Sequence, residues 1–167
     1  MTAAQSETDG FRVLAAGPRE GARLVAAVRR FHGESGRGID PAQAMAVHAL
    51  CSDPSLGRAW LLADGRGRDV GYALAYWRHS VDHGGRVAVL DDLWIDAALR
   101  ARALGRRLTE AVLADMSACG ARAVVVEADP ADASAMAFYA RLGFAAKGTT
   151  LLVRVQPASR APLDGGC

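Results

Sequence analysis

The sequence is poor in lysine, in paired cysteines and in long apolar runs, and each shortage excludes a class of protein. Lys147 is the one lysine among 20 basic residues, so arginine carries almost all of the positive charge. The three cysteines form no CxxC pair, which disfavours a zinc site and suits reduced thiols in a cytosol. No stretch approaches the roughly 18 apolar residues that span a bilayer. We therefore expect a cytoplasmic protein without a metal and without a membrane partner.

The balance of charge gives no indication of a large charged partner either. The net charge is +2, and charged residues make up 23% of the chain. Nucleic-acid-binding domains are typically far more basic than this, so we expect no nucleic-acid partner. An apolar fraction of 51% over 167 residues is ordinary for a globular protein and suffices for a buried core.

The chain is predicted to hold one domain. Residues 1–10 and 157–167 are polar or rich in glycine and proline, and the first ten lack the pattern of a signal peptide. We predict that both ends are flexible. No repeat or linker divides the remainder, which leaves a single domain over residues 11–156.

The apolar periodicity predicts an α+β fold with the order β-α-α-β-β-β-α-β-α-β. Three consecutive strands form an antiparallel meander, and a βαβ crossover follows it. The crossover makes the strands that end at Ile95 and Ala128 parallel neighbours in a mixed sheet. The segment "TTLLVRV", residues 149–155, is predicted to be a last strand that closes the sheet.

The stretch "LRARALGRRL", residues 99–108, places arginines and small residues where a strand turns into a helix. The first N–H groups of a helix have no intrahelical acceptor, and small residues let an anion approach them. This favours a phosphate or pyrophosphate site, although a solvated basic helix start explains the arginines as well. The sequence contains neither GxxxxGK[ST] nor GxGxxG after its first strand, which disfavours a P-loop and a Rossmann site.

The segment "RARALG" resembles the acetyl-CoA signature of the GNAT superfamily of N-acetyltransferases, Arg/Gln-x-x-Gly-x-Gly/Ala. Arg100 takes the first position, Gly105 takes the last, and Ala103 stands in place of the usual glycine. Alanine permits close approach of a ligand in a helical conformation but not where the backbone needs a positive φ. We therefore expect somewhat weaker cofactor binding than the glycine would allow.

Two further segments extend the resemblance over residues 58–155. "DHGGRVAVLDDLWI" is similar to the fourth strand of GNAT proteins that carry an acidic pair, as spermidine/spermine acetyltransferases do. "DASAMAFYARLGF" resembles the superfamily's N-x-x-A-x-x-F-Y-x-x-x-G-F, with Asp132 where asparagine is usual. The resemblance implies a GNAT-like fold with helices on both faces of the mixed sheet, and the predicted element order agrees with it.

The resemblance also implies how acetyl-CoA, as cosubstrate, is held. Pantetheine is expected to pair with the backbone of Trp94 and Ile95, where the parallel strands separate. The pyrophosphate is expected on the N–H groups at the start of the following helix. The cofactor-binding residues implied in this way are Trp94, Ile95, Arg100, Arg102, Ala103, Leu104, Gly105, Arg106 and Asp132. Superfamily members are often dimers, so we expect a homodimer.

Two acidic residues and one tyrosine are the candidate catalytic groups. An alkyl ammonium has a pKa of about 10.4, so a base is useful at neutral pH. Asp91 matches the base of polyamine acetyltransferases and is preferred, while Asp92 binds the amine or braces a loop. Strand alternation predicts that at most one of the two points directly into the substrate cleft. Tyr139 matches the tyrosine that protonates the departing thiolate, and its alternative role is core packing.

These residues favour an N-acetyltransferase that transfers an acetyl group from acetyl-CoA to a primary amine in a ternary complex. The alternative is a non-catalytic acyl-CoA-binding regulatory module. A nucleotide- or phosphate-binding regulator that uses the arginine loop alone is a third reading. The presence of Asp91, Asp92 and Tyr139 together favours the enzyme. The acceptor stays open among small amines, amino acids, antibiotics and proteins.

Overall fold

A computed structural model describes residues 10–148 and 151–154. Up to the last helix the elements follow the predicted order, with two single-turn 3-10 helices, Pro18–Glu20 and Ala97–Leu99, at loop positions. The strands and helices are β1 (Phe11–Ala15), α1 (Gly21–Glu34), α2 (Pro41–Ser52), β2 (Gly57–Asp64), β3 (Asp69–Ser80), β4 (Gly85–Ile95), α3 (Leu104–Ala118), β5 (Val124–Val126) and α4 (Ala133–Arg141).

The five strands form one sheet in chain order, β1-β2-β3-β4-β5. The first four are antiparallel to their neighbours, and β5 lies parallel to β4 after the α3 crossover. Helices α1 and α2 cover one face, with a core around Leu24, Leu61 and Tyr72. Helix α3 covers the other face through Leu108 and its neighbours. The α+β class, the meander and the parallel crossover are confirmed.

Local sequence signals account for the ends of several elements. Asp40 caps α2: its carboxylate accepts from the Gln43 N–H at 2.8 Å, and Pro41 occupies the first turn. The β2–β3 turn forms because the Asp64 carboxylate accepts from two backbone N–H groups, at Arg66 and Arg68. Gly120, with a φ of 87°, follows α3 at the position where glycine ends helices.

The predicted last strand is wrong for the part of it that the structure describes. Residues 151–154 adopt no regular secondary structure, and Leu152 is 88% exposed. Apolar, β-branched composition favours a strand only when a neighbouring edge supplies hydrogen bonds and a covering surface. The rest of this segment, residues 149–150 and 155, lies outside the described residues, as do residues 1–9 and 157–167 of the predicted flexible ends.

Within residues 10–148 and 151–154, no helix has the length and apolar content needed to cross a bilayer. In the same part of the chain, no three His, Cys, Asp or Glu side chains are grouped so that they could hold a metal ion.

Candidate active site

Strand β4 extends beyond its parallel partner. The β4–β5 ladder ends at the pair Leu90↔Val126, whereas β4 runs on to Ile95 alongside β3. From Asp91 to Ile95 the edge that faces away from β3 therefore has no strand partner among the described residues. Its outward N–H and C=O groups are available to an extended ligand in the manner of an added strand, except that Ile95 O already accepts from Arg100 Nε. This is the place where the resemblance put pantetheine, against Trp94 and Ile95.

A β-bulge lies at the start of this free edge. In the β3–β4 register Leu74 pairs with Asp92 and the next residue, Ala75, pairs with Leu90, so Asp91 is the additional residue. Two residues of a bulged strand oppose one on the partner, so Asp91 and Asp92 both stand against Leu74, which packs on the side of α1 and α2. The expectation that strand alternation separates the two carboxylates is wrong, because alternation holds only in a regular ladder.

Asp92 is held by a buried tyrosine. The Tyr72 hydroxyl donates to Asp92 Oδ2 at 3.0 Å, and the Tyr72 side chain is fully buried between Phe31 and Trp94. Burial, followed by the Asp92 charge, raises the pKa of Tyr72 far above its ordinary value. The phenol therefore stays protonated and keeps donating to Asp92.

Asp91 is more exposed to water than Asp92 and lies near two other carboxylates. Partial desolvation, followed by the charges of Asp92 and Glu127, raises its pKa above the ordinary value for an aspartate. Its residue surface is still accessible to water. Desolvation and then the Asp91 charge raise the pKa of Tyr76 as well. A carboxylate with a raised pKa is a stronger base, so of the two aspartates Asp91 has the environment that favours proton abstraction.

The loop between β4 and α3 has the backbone of an anion site. Ala101 and Ala103 have φ values of 65° and 58°, in the left-handed region that non-glycine residues rarely adopt. Successive N–H groups around left-handed residues converge into a concave surface that binds anions. The first turn of α3 adds N–H groups with no intrahelical acceptor. We call residues 101–106 the anion seat.

The side chains around the anion seat have different surroundings. Arg102 and Arg106 are exposed, whereas Leu104 is buried in the core. A Cβ at Gly105 would lie 3.6 Å from the Phe138 ring, which is ordinary contact, so glycine is not required there for packing. Arg100, just before the seat, hydrogen-bonds within the protein: its Nε donates to Ile95 O at 3.0 Å and its Nη2 to Glu34 Oε2 at 2.6 Å.

The observed φ at position 103 predicts that Ala103→Gly stabilises the protein. The left-handed conformation costs alanine roughly 1–2 kcal/mol, and glycine loses roughly 0.5–1 kcal/mol of chain entropy in return. We expect the free energy of unfolding in urea to rise by up to about 1 kcal/mol, with acetyl-CoA affinity equal or higher. Gly105→Ala is the converse comparison: position 105 lies inside α3 without a positive φ, so alanine there should raise stability by roughly 0.5–1 kcal/mol. A loss of stability in Ala103→Gly would contradict the left-handed assignment.

Helix α4 carries the third candidate group. Tyr139 contacts the rings of Phe138 and Phe144 and packs on the α3 side of the core. Burial raises the pKa of its phenol, which keeps the proton on the oxygen at neutral pH, as a general acid requires. Asp132 caps α4 by accepting from the Ala135 N–H at 2.9 Å. The structure thus shows a capping role for Asp132.

The sequence analysis did not identify three residues that lie near the site: Glu127, Tyr72 and Glu34. Glu127 could have been inferred, because it directly follows the half-buried strand β5 and parallel strands present their carboxyl ends at one edge. Tyr72 and Glu34 reach the site through side-chain contacts with residues 20 and 60 or more positions away. No local pattern predicts such contacts.

Comparison with known sequences gives two matches. Residues 25–144 match the family model described as the acetyltransferase (GNAT) family. The chain is 28% identical over 107 residues to a probable glucosamine 6-phosphate N-acetyltransferase 2 of Oryza sativa subsp. japonica. That match covers 64% of this chain and 58% of the rice protein, so the chain spans less than two thirds of this relative.

Comparison with solved structures finds proteins that share the fold of this chain. An integron cassette protein from the mobile metagenome of Cole Harbour Salt Marsh is 29% identical, with a TM-score of 0.77 over 88% of this chain and 91% of that one. An aminoglycoside acetyltransferase from an uncultured soil metagenomic sample has a TM-score of 0.75 over 89% and 97% of the two chains. Its identity is 16%, so it bears on the fold alone.

Proposed function

The chain belongs to the acetyltransferase (GNAT) family, and from that premise we propose that it transfers an acetyl group from acetyl-CoA to a primary amine. One observation carries the proposal. The free edge of β4 has the Asp91–Asp92 bulge at one end and leads, at the other, to the left-handed backbone of the anion seat. A thioester laid along this edge, with its pyrophosphate in the seat, has its carbonyl carbon near the acidic bulge.

In the proposed reaction the amine attacks the thioester carbonyl while both substrates are bound. A carbon–nitrogen bond forms, the carbon–sulfur bond breaks, and CoA leaves as a thiolate. Asp91 accepts the proton that the amine loses, directly or through a water molecule. Tyr139 donates a proton to the thiolate, and backbone N–H groups of β4 polarise the carbonyl oxygen. An acceptor that arrives as an ammonium ion loses two protons: Asp91 takes the first and releases it to solvent, and the second, lost as the amide forms, replaces the proton that Tyr139 gives to sulfur.

The residues of the seat suit a pyrophosphate. The converging N–H groups and the exposed Arg102 and Arg106 bring positive potential to one surface, and the α3 dipole adds to it. Trp94, Ile95, Leu104 and Gly105 contribute backbone groups. Neutralising Arg102 is expected to weaken acetyl-CoA binding by roughly 1–3 kcal/mol, which is typical of a charge-assisted contact.

The raised pKa of Asp91 gives the reaction a testable pH dependence. Asp91 must be ionised to accept a proton, so wild-type kcat/KM falls on the acid side at a pH above that of an ordinary aspartate. In Asp91→Asn the rate at pH 7 is expected to drop and then to recover towards high pH, as free amine becomes abundant. Steady-state kinetics from pH 5 to pH 10 at saturating acetyl-CoA would measure this.

Asp92→Asn is the matched control, because it removes the neighbouring charge on the same face. Its pH profile should keep the wild-type shape with a smaller loss, and its acid limb should move to lower pH because the Asp92 charge no longer raises the pKa of Asp91. Asp91→Asn should also stabilise the fold slightly: a folded-state pKa above the unfolded value means that the ionised carboxylate destabilises the native state at neutral pH. If both variants keep the full rate at pH 7, neither aspartate is the base.

The remaining features of the proposal concern the setting of the reaction. We take residues 11–156 as one acetyltransferase domain that acts in the cytoplasm as a homodimer, with no nucleic-acid or membrane partner and no metal.

The acidic group of Asp91, Asp92 and Glu127 favours an acceptor that arrives as an ammonium ion. A CoA-release screen over polyamines, amino acids, amino sugars and peptide N-termini tests the activity. Light scattering at tens of micromolar tests the dimer.

A further inference from the structure

Helix α1 is tied to the end of β4 by one carboxylate. Glu34 Oε1 accepts from the Trp94 indole N–H at 2.8 Å, and Glu34 Oε2 accepts from Arg100 Nη2 at 2.6 Å. Arg100 Nε in turn donates to Ile95 O at 3.0 Å. A single side chain on α1 therefore bonds both Trp94, near the end of β4, and Arg100, the residue that directly precedes the anion seat.

A second tie from the same helix supports the first. The Arg30 guanidinium lies 4.9 Å from the centroid of the Trp94 ring, and its Nη2 pairs with Asp96 Oδ2 at 2.6 Å. Asp96 Oδ1 accepts from the Ala98 N–H within the turn that leads to Arg100. Trp94 is thus bracketed by Arg30 and Glu34 and is only 3% exposed.

These contacts restrict what Arg100 can do. A planar guanidinium held through both Nε and Nη2 has a fixed plane and position. Arg100 immediately precedes Ala101, the first left-handed residue of the seat. The strained conformations of Ala101 and Ala103 persist only if the surrounding structure enforces them. The bonds from Arg100 to Glu34 and to Ile95 O restrain the residue at the entry to this loop.

We propose that Glu34 is a positioning residue for the cofactor site: by holding Arg100 and Trp94, it keeps the N–H groups of the anion seat in their binding arrangement. Glu34 acts in this role through Trp94 and Arg100, the two residues that it bonds. The inference rests on the proposed function in one respect, the identity of the ligand as acetyl-CoA. Glu34 also links α1, on the Asp91–Asp92 face of the sheet, to the loop expected to bind the pyrophosphate.

The test uses Glu34→Gln in the full chain. Glutamine keeps the size and an acceptor oxygen for Trp94 but removes the charge that pairs with Arg100. The dissociation constant for acetyl-CoA, measured by calorimetry, is expected to rise roughly threefold to tenfold, as for a lost charge-assisted bond. The kcat at saturating acetyl-CoA should stay close to wild type, because no reacting group changes.

Arg23→Gln is the matched control. Arg23 also lies on α1 and bonds Asp69 on β3 at 2.7 Å, with an exposure similar to that of Arg100. A positioning role predicts no change in acetyl-CoA affinity for Arg23→Gln. An equal weakening in both variants would show only a general loosening of α1 and would overturn the proposal. Tighter binding in Glu34→Gln would overturn it too, since Arg100 would then be a phosphate ligand that Glu34 restrains.

A measurement without ligand separates this proposal from the proposed function. The Arg107 N–H donates to Ala103 O at 3.0 Å and closes the first bond of α3 over the seat. Its hydrogen exchange is expected to become roughly threefold to tenfold faster in Glu34→Gln and to stay unchanged in Arg23→Gln. Unchanged exchange in both contradicts the positioning role. If wild type fails to bind acetyl-CoA while the exchange changes as stated, the proposed function fails and the positioning role stands.

Discussion

Tyr139→Phe is expected to lower kcat by roughly 10²–10⁴-fold, the range typical of lost general acid–base catalysis. The substitution removes only the phenolic oxygen. The ring contacts with Phe138 and Phe144 remain, so the melting temperature and the KM for acetyl-CoA should stay near their wild-type values. In the variant the thiolate leaves without a proton donor from the protein, so we expect the loss in kcat rather than in KM. Steady-state kinetics with varied acetyl-CoA measures both constants.

Phe144→Leu is a suitable control for this prediction, because it disturbs the same ring cluster and leaves the phenol in place. It should lower stability more than turnover. A raised KM with unchanged kcat in Tyr139→Phe would assign Tyr139 to cofactor packing. Full activity of Tyr139→Phe, together with full activity of both aspartate variants, would favour the non-catalytic acyl-CoA-binding module.

Ala103→Glu is expected to abolish acetyl-CoA binding, with an affinity loss of about 100-fold or more, or roughly 2.7 kcal/mol. The carboxylate places negative charge and bulk in the anion seat, where the pyrophosphate needs converging N–H groups. Position 103 is exposed, so the longer side chain meets no core residue. Negative charge near a helix N-terminus interacts favourably with the helix dipole. The new glutamate is therefore not expected to lower the melting temperature through its interaction with the dipole of α3.

Ala103→Gln separates charge from size. It adds the same number of side-chain atoms without the charge, and we expect it to weaken binding less than Ala103→Glu does. Calorimetric titration with acetyl-CoA measures both variants, and circular dichroism verifies their fold. Unchanged affinity in Ala103→Glu would refute the pyrophosphate assignment for this loop.

Much of the fold could be predicted because its signals are local. Asp40 and Pro41 begin α2 through bonds within one turn, and Gly120 follows the end of α3 by adopting a φ that other residues avoid. The β2–β3 turn depends on Asp64 and the next four residues. The order of the elements, the parallel crossover and the family resemblance all follow from such signals. Residues near one another in the chain carry this information directly.

The last strand shows where this approach fails. "TTLLVRV" has strand composition, yet residues 151–154 form none. Ala103 is a second example: its identity permits a helical φ, and the observed φ is 58°. In both cases the outcome depends on which backbone groups and surfaces the rest of the molecule offers, and a sequence pattern does not state this.

The sequence by itself determined the element order as far as α4, several helix ends and the position of the acidic pair and the arginine loop along the chain. Only the tertiary structure decided that Asp91 and Asp92 share one face, that Tyr72 holds Asp92, and that Glu34 holds Arg100. The physical reason is that a bulge and a side-chain contact between distant residues arise from the register of packed strands and helices. That register is set by the whole core and is not encoded in any short segment.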